Sequence, residues 1–96
     1  MKMAGVKTTK DLLALLAELE ETASKIGVSV RYEKLAQGPV RVTHGCCRVR
    51  DEDLILIDSR IGPAEKLDAL AEELARFDLE KVFVSPAARS LMEKRR

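Results

Sequence analysis

Ninety-six residues, 46% of them apolar, suit one compact domain with a core that needs no staples. Seventeen basic against sixteen acidic residues leave a net charge of +1, too little field to draw in nucleic acid or an anionic membrane. Only Tyr32, Phe77 and Phe83 are aromatic, which excludes the stacking platform of single-strand binders and leaves the core to Leu, Ile, Val and Ala.

Residues 1–7 lack the apolar stretch and small-residue cleavage site of a secretory signal, and no run nears the ~20 apolar residues of a membrane span. Together with only two cysteines, this leads us to expect a cytoplasmic protein with flexible ends at 1–7 and 94–96. From Thr9 to Ile26, Leu12, Leu15, Leu16, Leu19, Ala23 and Ile26 repeat with helical spacing. Thr8 and Asp11 form a capping pair before it, and Gly27 offers a left-handed stop after it. Leu13 widens the apolar face, so cover from more than one side is expected.

Val28, Val30 and Tyr32 alternate with polar residues, the period of a half-buried strand. Leu35 to Gly45, with Gln37-Gly38-Pro39, reads as a loop in which Val40 and Val42 can pair briefly. Cys46–Arg50 and Leu54–Asp58 then flank an acidic turn as a β-hairpin. With Asp51 and Glu52 as its loop residues, Val49 faces Leu54 and Cys47 faces Leu56, while Cys46, Arg48, Ile55 and Ile57 take the other side. The unbroken Leu54-Ile55-Leu56-Ile57 run predicts a central strand covered on both faces.

Pro63 suits a first helical position, Glu65 follows at the positive end of the dipole, and Leu67, Leu70, Leu74 and Phe77 make an apolar stripe. Lys81–Val84 predicts a short extended segment. Ser85-Pro86 then opens a last helix from Ala87 to about Lys94, anchored by Leu91 and Met92. The order is α-β-β-β-α-(β)-α. It predicts an α+β fold: a small three- to four-stranded, mostly antiparallel sheet, packed with two long helices and a short C-terminal one.

The passage from Leu54-Ile55-Leu56-Ile57-Asp58 through Gly62-Pro63 into Leu70-Ala71-Glu72-Glu73-Leu74-Ala75 resembles the core of the IrrE-type minimal zincin metallopeptidases. The preceding helix, Gly-Val-x-Val strand, loop and hairpin follow the same order, so the resemblance covers about Thr9 to Phe77. In that family two histidines one turn apart bind zinc and the glutamate between them activates water. Carried over by position, Ala71 and Ala75 replace the ligands and Glu72 stands where the general base would.

Alanine coordinates no metal, a zinc site needs three or four donors, and His44 is the only histidine. The resemblance therefore implies a metal-free relic with no cofactor. Ala64, Ala71 and Ala75 read instead as small residues that let a neighbouring element approach, and Glu72 as a surface carboxylate. Cys46 and Cys47, adjacent on a strand, point to opposite faces and cannot share an ordinary disulfide. Cys46 and His44 share a face, which allows a thiol–imidazole pair. Arg41, Arg48, Arg50 and Arg60 offer an anion-binding cluster, against which Asp51, Glu52, Asp53 and Asp58 stand as internal counterions. The leading expectation is a non-catalytic domain that binds itself, as a homodimer, or another protein. Thiol chemistry at Cys46 with His44 is the alternative; anion or nucleic-acid binding through the arginines comes third. Cys46, His44 and Glu72 are the candidate catalytic residues.

Overall fold

Helix α1 (Thr9–Lys25) begins where the Thr8 hydroxyl accepts a 3.2 Å hydrogen bond from the Asp11 backbone N–H. Gly27 ends the turn that follows at φ 78°, a conformation that a side chain would strain. The computed structural model describes residues 8–35 and 42–94, so the 1–7 segment, Val40, Arg41 and the last two residues lie outside it. Three strands follow, β1 (Val28–Glu33), β2 (His44–Val49) and β3 (Glu52–Asp58), then α2 (Pro63–Leu74) and α3 (Pro86–Glu93). The fold is α+β.

The sheet runs in the order β1-β3-β2, with β3 parallel to β1 and antiparallel to β2. It is therefore mixed, not mostly antiparallel. The hairpin sits with β3, its most apolar strand, beside β1, so that β3 takes the centre. Its central place is as the Leu-Ile-Leu-Ile run predicts. The hairpin loop is Arg50-Asp51, with φ 52° and 69°, and Val49 pairs with Glu52. Cys47 therefore faces Leu54 instead of Leu56. This register lies two residues from the expected one, and a slide of two leaves every side chain on its expected face.

Helices α1 and α2 pack side by side on one face of the sheet, α1 over β1 and α2 over β2 and β3, while α3 touches only the helices. Ile55 and Ile57 point into that layer and are fully buried, with Leu19, Leu67, Leu70 and Leu74. Tyr32, on the same face, donates its hydroxyl to the Glu20 carboxylate, and the Lys66 ammonium lies 5.5 Å from its ring centroid. Burial first, then Glu20, pushes the Tyr32 phenol well up.

The opposite face carries Ser29, Arg31, Leu54, Leu56, Cys47 and Val49, and among the described residues no element packs on it. Leu54 and Leu56 are only half-buried, so the expected two-sided cover of β3 is not supplied within the described chain. Leu13 likewise stays exposed, because α1 is covered only on its Leu15–Leu16–Leu19 side.

Residues 81–84 form no strand. Val84 is buried while Phe83 is exposed, and the segment serves α3 instead of the sheet. Ser85 caps α3 by accepting from the Ala88 N–H, and its own N–H and hydroxyl donate to the two Glu18 oxygens, each at 2.9 Å. Glu18 thereby ties α1 to the start of α3.

Candidate functional site

Among the described residues, a histidine and two carboxylates meet at the seam between β2 and α2. Thr43 holds the start of β2 in register, its carbonyl accepting from the Asp58 N–H at 2.8 Å. His44 follows on the helix-covered face and reaches α2. Its Nδ1 lies 2.6 Å from Glu73 Oε2, and its Nε2 lies 3.7 Å from Glu72 Oε1. An ionised carboxylate only accepts, so with Glu73 in that form Nδ1 is the donor of this bond, and Nε2 is turned toward Glu72.

Glu73 is 3% exposed. Among the described residues its second oxygen has no hydrogen-bond partner and stands 3.8 Å from an Arg76 nitrogen, outside bonding range. A buried carboxylate half-satisfied in this way costs stability and marks a position that packing alone would have given to an apolar residue. Sequence periodicity held the signal. Glu73 follows Ala69 by four and Leu70 by three, placing it on the buried arc of α2 rather than the wet one.

Cys46 lies two residues beyond His44 on the same face, as expected, but His44 is engaged by Glu73. Among the described residues no hydrogen bond joins the two. Partial burial, then the charge of Glu73 and the nearby Asp53 and Cys47, push the Cys46 thiol up, against a smaller opposing effect of Arg76. A raised thiol holds less thiolate at neutral pH, which makes it a poorer nucleophile. Cys46 and Cys47 are both free and exposed.

Glu72 is half-exposed, a surface carboxylate with His44 nearby. Ala71 is fully buried in the core and Ala75 partly so, which fits their reading as packing residues between helices; Ala64 is exposed. Among the described residues no three His, Cys, Asp or Glu side chains are placed to hold a metal ion.

The arginines do not gather. Arg60 grips the buried Asp58 carboxylate through Nε at 3.1 Å and Nη2 at 3.0 Å. Arg48 stands 3.6 Å from Asp53 at the far end of β3, beside Arg50 in the turn. Seven residues of strand separate the two ends, roughly 20 Å. Arg41 lies outside the described residues.

Two depressions flank this framework. One of about 630 Å³ lies at the hairpin end of the open sheet face, lined by Ser29, Arg31, Val49, Glu52 and Leu54 among others. A smaller cleft, about 210 Å³, adjoins the seam between Thr43, His44, Ile61, Glu65, Asp68 and Ala69. No helix among the described residues is long and apolar enough to cross a membrane. Compared with protein-family profiles, curated sequences and solved structures, the chain gives no match.

Proposed function

We propose that this chain is a non-catalytic cytoplasmic interaction module that associates with a second copy of itself through the open face of its sheet. One observation carries the reading: the central strand is apolar on both sides, yet its Leu54–Leu56 side has no cover among the described residues. Val49, 49% exposed, extends that strip beside Cys47. Arg31 and Glu33 flank it as a 3.6 Å ion pair, so two copies related by a two-fold axis meet charges of both signs. The near-neutral chain adds little self-repulsion.

Three strands of six or seven residues offer a face of roughly 14 by 20 Å, well short of the ~800 Å² per partner of a standard interface. The association is therefore weak and concentration-dependent. The zincin likeness enters as ancestry: the strand–Gly62-Pro63–helix order supports it, and Ala71 and Ala75 give it no ligands. A thiol reaction at Cys46 gains no support from a thiol pushed up beside Glu73.

Sedimentation across a wide concentration range tests the proposal. The average mass rises above the 10.7 kDa of one chain as concentration increases, and Leu56→Lys returns it to the monomer without altering the fold. A monomer that persists into the millimolar range overturns the reading.

A further inference from the structure

A second surface points to a different partner. Strand β2 pairs with β3 on one side only, and no described strand lies on its other side. The Asp58 N–H to Thr43 bond marks 43–58 as a hydrogen-bonded pair of the antiparallel ladder. Such pairs alternate, so the backbone groups of Gly45, Cys47 and Val49 also turn toward β3. Those of His44, Cys46 and Arg48 turn outward, a row of donors and acceptors able to receive another strand.

This edge runs beneath the acidic flank of α2. Glu65, Asp68 and Glu72 follow one another at helical spacing along it. The first two line the cleft with Thr43 and His44, and Glu72 reaches toward His44 Nε2. Just inside lies buried Glu73, with one oxygen lacking a hydrogen bond among the described residues. Negative charge therefore collects over the His44 end of the edge. Toward the other end Arg48 stands beside Asp53, and Arg76 stands beside Glu73.

We propose that the free edge of β2 and the acidic flank of α2 together take up an extended basic segment of another protein as a fourth strand. Backbone pairing with His44, Cys46 and Arg48 supplies the grip, as in other strand additions. Lysine or arginine side chains on alternate residues meet Glu65, Asp68 and Glu72, which sets the preference for a cationic sequence. This surface is separate from the open sheet face, and its occupancy does not require self-association.

The test is an NMR titration with a blocked hexapeptide of alternating lysine and valine. Addition shifts the amides of His44, Cys46 and Arg48 and slows their exchange with solvent. The surface variant Glu65→Gln/Asp68→Asn/Glu72→Gln weakens binding at least tenfold, and raised salt weakens it further. A peptide N-methylated at every residue, which has no N–H left to donate from either edge, does not bind. The proposal is overturned if those amides do not respond. It also fails if the N-methylated peptide or a glutamate–valine analogue binds equally well, or if the variant binds as tightly as the parent. Protection of the same amides at high protein concentration without peptide would assign the edge to a second copy and overturn it too. Self-association through the open face is read separately, from the mass, so the two readings fail independently.

Discussion

Ile55 and Ile57 are fully buried, whereas Leu54 and Leu56, their neighbours on the same strand, are only half-covered. The four side chains have nearly equal appetite for burial. Their different fates come from the helices, which fill one side of the sheet and stop there. Local sequence announces that β3 wants two covers; the described fold provides one, and the proposed self-association would supply the second.

Substitution on the two faces sharpens this contrast. Ile57→Ala on the covered face opens a cavity that the packed helices cannot close, at a cost of about 3 kcal/mol by urea denaturation. A loss as small as that from an open-face change would break the comparison. On the helical side, Glu18→Ala removes both acceptors of Ser85 and frees the start of α3, costing about 1.5 kcal/mol. Hydrogen exchange should show α3 opening ahead of β3, and uniform opening would refute that order.

The hairpin tip belongs to neither face and behaves oppositely. Arg50 and Asp51 both hold positive φ, which asparagine and glycine tolerate better, so Arg50→Asn/Asp51→Gly raises the melting midpoint by the equivalent of about 1 kcal/mol. Leu56→Lys, on the open face, changes monomer stability by no more than about 0.5 kcal/mol while abolishing self-association. Cooperative loss of the monomer fold would show instead that Leu56 is core.

The smallest effect is kinetic. Burial and the Glu73 charge hold the Cys46 thiol above its ordinary range, so its alkylation at neutral pH is slow and quickens as pH rises. Glu73→Gln removes an anion, lowers that thiol toward its usual range and makes alkylation faster at a fixed pH. Peptide mapping of iodoacetamide adducts measures the change; an unchanged Cys46 rate would place Glu73 out of its reach.

What the sequence by itself determined was local. Thr8, Gly27, Pro63 and Ser85 set helix ends within a residue or two, because caps and stops act on the backbone beside them. The alternation of Val28 to Tyr32 and the Leu-Ile run set the strands and the central place of β3, and the α+β class followed from their order. The tertiary structure alone decided the rest. Whether β1 runs parallel to β3 depends on where a long connection lands, which no local preference encodes. The pairing of His44 with Glu73 joins residues 29 apart in sequence. The partner of His44 was legible only as a carboxylate on the buried arc of α2, until β2 was laid beneath that helix. That one side of β3 has no cover among the described residues was hidden for the same reason: an apolar residue records that it needs burial, but not what supplies it.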